Sequence, residues 1–325
     1  MSGRLAALCG VWVAAILFLL ALHILVPQRS GVLALTQVME PFIVLTALGA
    51  GALALRGRVP WRVALVAALV IVAAVRYGPI MLSLPGTADG LQLRVITWNV
   101  LAGQGDGARL IDGLGATEAD LVGLEELQPE AVAVLENDAG FLERYPHRVL
   151  EPDWSVFGVG LLSRHPIIEQ QSWSDPPLIR ALVAPAVGPP VSVFVAHPLP
   201  ARIRSPAGIP VSLDATKRDT DIAFIRSLID AELALGRQVV VLGDFNVTER
   251  EPAYHDLSVG LRDAHLDAGI GLGSSWRPSA LRFLPMGLLR IDYVLSSPGM
   301  QAVSTHVECS NNSDHCLLAA TLVSR

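Results

Sequence analysis

Cysteine is scarce in this chain, with three in 325 residues, and neither a CxxC nor an HxxxH spacing occurs. The usual structural zinc frameworks are therefore absent. Internal repeats and low-complexity tracts are missing too, so neither a solenoid nor a long disordered tail is expected. Charge is sparse, at 17% of residues against 52% hydrophobic. That balance is too apolar for an ordinary soluble enzyme. Basic residues are in deficit where a globular domain begins. Six of the 24 Arg and Lys and two of the 30 acids lie in residues 1–89, leaving 18 against 28 and a net charge of −10 in 90–325. Such a surface is a poor partner for a phosphate backbone, although a local basic groove remains open.

What the chain has in excess is apolar sequence at the N-terminus. Residues Leu5 to Val26, Leu33 to Leu55 and Val63 to Leu84 form three runs, each about as long as the ~20 residues that cross a bilayer core. A cleaved signal peptide is the competing reading of the first run, but that run exceeds the roughly 7–15 apolar residues usual in such signals. Arg4 precedes the first run and Arg56, Arg58 and Arg62 lie between the second and third, whereas Arg29 is alone in the other loop. The positive-inside tendency then predicts a multi-pass protein of the cell membrane, with everything after Leu84 outside the cytoplasm. Glu40 and Arg76 are costly inside such spans. Arg76 is expected to snorkel to the outer interface, and Glu40 to pair within the helix bundle or face a polar cavity. Turn-forming residues 85–90 predict a linker, dividing the chain into a membrane region at 1–88 and a globular α/β domain at 89–325.

In that domain, hydrophobic runs read as strands and several end in polar residues. Leu91 to Thr97, Leu121 to Leu124, Val191 to Ala196, Gln238 to Leu242 and Ile291 to Leu295 are five of them, and Cys316 to Val323 follows the last polar motif. The motifs are Trp98-Asn99, Glu125-Glu126, His197, Gly243-Asp244-Phe245-Asn246, Arg290-Ile291-Asp292-Tyr293 and Ser313-Asp314-His315. Carboxylates, imidazoles and carboxamides at a common sheet edge suit phosphoester hydrolysis, which needs charge stabilisation, an activated water and help for the leaving group. Glu126 is the first choice of metal ligand, helped by Asn99 and Asp314, since a hard cation such as Mg²⁺ keeps several waters and needs few protein oxygens. Alone, Glu125-Glu126 would read as a solvated strand end. His315 is the best candidate general base, and Asp292, set in an apolar strand, is suited to orient it. Asp244 is expected to orient the attacking water or protonate the leaving oxygen, and Asn246 and His197 to donate to the phosphate.

Cys309 and Cys316 flank Asp314-His315 and leave two readings open, a disulfide in an oxidising compartment or two unrelated small apolar residues.

Together with Gly160-Leu161-Leu162-Ser163-Arg164, these motifs resemble in order the signature set of the endonuclease/exonuclease/phosphatase superfamily over residues 91–325. The resemblance implies a four-layer α/β/β/α sandwich with two packed mixed sheets, and Mg²⁺- or Mn²⁺-dependent phosphoester hydrolysis. It also implies Asn99, Glu126 and Asp314 at the metal, His197, Asp244 and Asn246 at the phosphate and water, and Asp292 with His315 as a catalytic dyad. In that family either the imidazole or the aspartate serves as base. The chain departs from the family at Glu125, where Gln is common, at Val195, where Asn is common, and at Cys316, where a large side chain is frequent. The extra carboxylate at 125 is expected either to raise metal affinity or to point to solvent.

The family does not fix the substrate. The leading expectation is a lipid-linked phosphate, such as a polyprenyl phosphate, met at the outer membrane face. Arg202 and Arg204 would form a rim that attracts it. This resembles the membrane-anchored bacterial branch of the superfamily. The alternatives are an extracytoplasmic nuclease and a non-catalytic membrane scaffold. The oligomeric state is not legible.

Overall fold

A computed structural model describes residues 3–56, 58–83, 90–102, 107–115, 117–310 and 313–324. The chain divides into two compact units, one comprising 1–79, 201–216 and 250–254, the other the remainder. The linker expected at 85–90 lies, apart from Gly90, outside the described residues.

In the first unit, helices Gly3–Leu25 and Pro60–Met81 are long and apolar enough to cross a membrane. The middle run is not the continuous span expected at 33–55. It is two helices, Val32–Val38 and Glu40–Ala54, bent by 75°. Pro41 explains the break: it lacks an N–H and is accommodated at the start of the second helix but not within a helix interior. The helices pack through Val13, Ile16, Leu20, Val44, Ala47 and Leu69, while Leu8, Phe18, Leu45, Ile71 and Val75 face outward.

Glu40 is wholly buried at the bend. It accepts from Arg76 Nε and Nη2, both at 2.7 Å, and from Tyr77 Oη at 3.2 Å, and His23 Nδ1 lies 2.8 Å away. Arg76, expected to snorkel, is instead seen paired with Glu40. Its two-pronged bond compensates a buried carboxylate that would otherwise be very costly.

The second unit is built on two six-stranded mixed sheets. Its strands are β1 (Gln92–Asn99), β2 (Leu121–Glu125), β3 (His147–Glu151), β4 (Val159–Ser163), β5 (Ile167–Ser174), β6 (Pro177–Val183), β7 (Val191–Ala196), β8 (Gln238–Asp244), β9 (Arg262–Asp263), β10 (Asp292–Ser296), β11 (Met300–Glu308) and β12 (Leu317–Ser324). One sheet has the order β11-β12-β1-β2-β4-β3 and the other β9-β10-β8-β7-β6-β5. Only β1–β2 and β7–β8 are parallel among these pairs. The strands alternate side chains between two faces, so each sheet turns one apolar face to the other. Leu93, Val95, Leu121 and Leu161 from the first meet Val193, Val195, Val240 and Leu242 from the second in one core. Helices Pro129–Leu135 and Ala139–Arg144 cover the outer face of the first sheet through Leu135 and Phe141. Helix Thr216–Ala234 buries Ile222, Ile225 and Ile229, a spacing that lines one helical face.

Candidate active site

Strand register gathers the polar motifs. In parallel β1 and β2, Asn99 stands opposite Glu125, and in parallel β7 and β8, Ala196 stands opposite Gly243. His197 thus leaves one strand beside the point where Asp244 ends the next. Gly243 is required because a Cβ there would collide with the Ala196 carbonyl. In antiparallel β8 and β10, Asp244 faces Asp292 directly. Like charges so placed repel, and burial leaves no water to screen them.

His315 answers that repulsion. Its Nδ1–H donates to Asp292, 3.1 and 3.0 Å from the two oxygens, and its Nε2 lies 3.5 Å from Asp244 Oδ2. Burial alone would lower the His315 pKa, but the carboxylates of Asp292 and Asp244 outweigh it and push it up to about 10. Asp292, wholly buried, is raised by burial first and by Asp244, and Ser275 Oγ donates to it at 2.5 Å. Burial would raise Asp244 as well, but His315 and His197 hold it below the ordinary aspartate value.

His197 Nδ1 lies 3.0 Å from the Val156 carbonyl and must donate to it, which turns Nε2 toward Asp244 Oδ2 at 3.5 Å. Burial opposes a charge on His197, yet its bond to Asp244 raises the pKa. Asn246 gives its backbone N–H to Asp244 Oδ1 at 2.9 Å, and its Nδ2 donates to Pro198 O at 3.1 Å. Asn99 Nδ2 donates to Glu126 Oε1 at 3.0 Å and to Asp244 Oδ2 at 3.1 Å. Leu101, Glu126 and Asn246 all hold positive φ, at 63°, 56° and 51°. Such strain in non-glycine residues gathers at functional sites because the surrounding bonds over-determine it.

The other expected residues stand as follows. Asp314 Oδ2 accepts from Ser279 Oγ at 2.7 Å, and its buried Oδ1 has no hydrogen-bond partner among the described residues. Glu125 does not point to solvent. It is fully buried, accepts from Thr97 Oγ1 at 2.8 Å, and is pushed up to about 8 by burial, with Asp292 and Asp244 adding to the shift. Arg202 and Arg204 lie exposed on a short strand of the first unit, Arg202–Arg204, paired with Ser212–Asp214. The other expected site residues belong to the second unit. Arg290 and Tyr293 serve as bracing: Arg290 Nη1 donates to both Asp263 oxygens, and Tyr293 Oη to the Val247 and Arg290 carbonyls.

Two serines, Ser275 and Ser279, went unread in the sequence, and Ser313 was read only as part of its motif, without a role. Ser275 holds Asp292, Ser279 holds Asp314, and Ser313 Oγ donates to the Asn99 carbonyl at 2.8 Å and accepts from the His315 N–H at 3.0 Å. Ser275 and Ser279 lie in an aperiodic stretch between 270 and 289, so only the fold reveals them.

The donor set suits a divalent cation. Ligand atoms of Asp244, Asp292 and His315 lie within 4.8 Å of one another. Asp244 is held ionised beside Asn99 and Glu126, and Asp314 keeps one buried oxygen with no hydrogen-bond partner among the described residues. An ionised carboxylate with hard oxygen donors around it is what such an ion requires.

Among curated proteins none matches the chain by sequence. Several solved structures share its fold. The zebrafish (D. rerio) TDP2 complexed with a single-strand DNA product is 19% identical with a TM-score of 0.54, covering 72% of this chain and 99% of its own. The 3′ phosphatase NExo from Neisseria, bound to a product DNA hairpin, is 19% identical with a TM-score of 0.56, covering 70% and 98%. An endonuclease/exonuclease/phosphatase from Bacteroides vulgatus is 18% identical with a TM-score of 0.54, covering 72% and 100%. The family model described as "Endonuclease/Exonuclease/phosphatase family" matches residues 96–315. Residues 96 to 315 span every expected catalytic and metal position from Asn99 to His315, and the chain belongs to the endonuclease/exonuclease/phosphatase family of phosphoester hydrolases.

Proposed function

We propose that this protein is a membrane-anchored, Mg²⁺-dependent phosphoester hydrolase whose site lies outside the cytoplasm and acts on a lipid-linked phosphate. The observation that carries the chemistry is Asp244 held between two buried imidazoles, 3.5 Å from His197 Nε2 and 3.5 Å from His315 Nε2. Held ionised, Asp244 orients a water and takes its proton. His315, as imidazolium braced by Asp292, and His197 donate to phosphoryl oxygens, where negative charge builds. In that state His315 has no lone pair to accept a proton, which favours the aspartate over the imidazole as base. Asn246 adds a neutral donor.

Asn99, Glu126 and Asp314 would hold the metal, with Asp244 at its border. The oxygen donors are the better set for a hard ion, because a protonated His315 cannot ligate. A bound Mg²⁺ or Mn²⁺ would supply Lewis-acid charge stabilisation to the phosphate.

Membrane anchoring rests on the two apolar helices and the bent pair, with side chains such as Phe18 and Ile71 turned outward. An extracytoplasmic site rests on the arginine asymmetry and on a bridge between Cys309 and Cys316 beside His315, since disulfides persist in oxidising compartments. Lipid head groups then meet the site at high effective concentration. Nucleic acid is the second reading, favoured by two fold relatives that hold DNA products and opposed by the net charge of −10 after residue 89.

The test is phosphate release by the detergent-solubilised full chain from polyprenyl phosphate or diphosphate, run beside plasmid and single-stranded DNA with His315→Ala as control. Lipid turnover that the variant lacks supports the proposal. DNA cleavage without lipid turnover replaces it with the nuclease reading.

A further inference from the structure

Among the described residues, Arg277 is the largest of the fully buried side chains. It makes no ion pair among the described residues; its nearest bonded partners are neutral. Nη1 donates to Cys316 Sγ at 2.9 Å, and Nη2 donates to the Ser310 carbonyl at 2.6 Å and the Arg282 carbonyl at 2.9 Å. Its backbone N–H donates to the Asp314 carbonyl at 3.0 Å. The Asp314 carboxylate acts on this guanidinium through space without an ion pair, and burial still lowers the Arg277 pKa, so the cost of keeping it there calls for a reason.

Three of these four contacts, to Ser310, Asp314 and Cys316, converge on one short piece of chain, and the fourth, to Arg282, stays within the loop of Arg277 itself. Cys309 and Cys316 are joined by a disulfide that closes a loop carrying Ser313, Asp314 and His315. Ser310 and Cys316 are at the two ends of that loop, and Arg277 ties both to one guanidinium. The neighbours of Arg277 hold the same segment from the other side: the Cys316 N–H donates to the Ser275 carbonyl at 2.6 Å, and Trp276 bridges to His315. Cys316 is the residue next to His315, so the covalent bridge acts one peptide bond from the imidazole. Misplacing a reacting group by about 1 Å costs roughly a hundredfold in rate.

We propose that the Cys309–Cys316 disulfide and Arg277 form a clamp that positions His315, and that turnover therefore depends on the oxidised state of this pair. The proposal rests on the role given to His315 above. In the reducing step, a dithiol supplies two electrons and two protons. The S–S bond breaks, each sulfur becomes a thiol, and the dithiol closes into its own disulfide. Arg277 then loses its anchored sulfur acceptor, and the loop is tied only by hydrogen bonds.

The experiment uses the full-length protein in detergent with Mg²⁺ and bis(p-nitrophenyl) phosphate, before and after dithiothreitol. Thiol titration in denaturant fixes the redox state: one thiol, Cys9, when oxidised and three when reduced. Reduction is expected to lower kcat at least about tenfold, with KM within about twofold and the circular dichroism spectrum unchanged. Reoxidation restores kcat. Cys309→Ser/Cys316→Ser should match the reduced protein and ignore dithiothreitol, and Arg277→Lys should show an intermediate loss. A second readout needs no turnover. The His315 imidazole resonance, assigned by its loss in His315→Ala, is expected to shift and broaden on reduction. Unchanged kcat with three thiols titrated overturns the clamp, as does an unmoved resonance. An oxidised protein that cleaves no phosphoester while the resonance still responds would instead overturn the proposed function.

Discussion

At the scale of single residues, Glu125 is the clearest case of environment deciding chemistry. A carboxyl at the end of a strand reads as solvated, yet β2 is a central strand and its last side chain turns inward to Thr97. Burial, with Asp292 and Asp244 adding and His197 opposing, pushes it up to about 8. Its folded pKa thus lies above its unfolded one, so its contribution to stability is present below the unfolded pKa and is lost as pH rises through about 8. Glu125→Gln keeps the bond from Thr97 and removes the ionisation. In chelator, the variant should gain melting temperature over the parent at pH 8.5 and show little gain at pH 5, as read by thermal unfolding. An equal difference at both pH values would place Glu125 in contact with solvent. Much of the site was legible in such residues. His197, Asp244, Asn246, Asp292 and His315 all meet, because each ends or opens a strand whose apolar run is plain in the sequence. Ser275 and Ser279 were not legible, since a hydroxyl in an aperiodic loop carries no pattern until the loop is folded against Asp292 and Asp314.

At the scale of elements, the site depends on how closely β7 and β8 approach. Gly243 sits within the strand pairing, where a Cβ would strike the Ala196 carbonyl. Gly243→Ala should cost several kcal/mol, at the severe end of single substitutions (about 4 or more), and should lower activity with stability because Asp244 is the next residue. A melting temperature within about 2 °C of the parent, which corresponds to well under ~1 kcal/mol, would contradict this packing. The strands legible in advance were those ending in motifs. The edge strand β5 was not, because Ile167–Ser174 is exposed along most of its length and shows little apolar run. The bend at Met39 was missed for a related reason. Apolar composition shows where a span is possible, whereas Glu40 and Pro41 decide that the helix restarts there.

At the scale of the whole molecule, the proposed anchoring makes sidedness a matter of the parity of the spans, and the bent pair Val32–Val38 and Glu40–Ala54 would set it. If the pair crosses, reporter fusions at Arg58 and Gly90 report opposite sides of the membrane, with Arg58 cytoplasmic. Fusions reporting the same side would make the pair re-entrant and return the catalytic unit to the side of the N-terminus. The claim on which the rest depends is that the buried cluster around Asp244 hydrolyses phosphoesters with a divalent cation. The most direct measurement is turnover of bis(p-nitrophenyl) phosphate by the full chain across a Mg²⁺ titration, for the parent and for Asp244→Asn. Saturable Mg²⁺ dependence in the parent, and a loss of roughly a hundredfold or more in a variant that stays folded, is the predicted result. Turnover that ignores Mg²⁺, or survives in Asp244→Asn, would contradict the account.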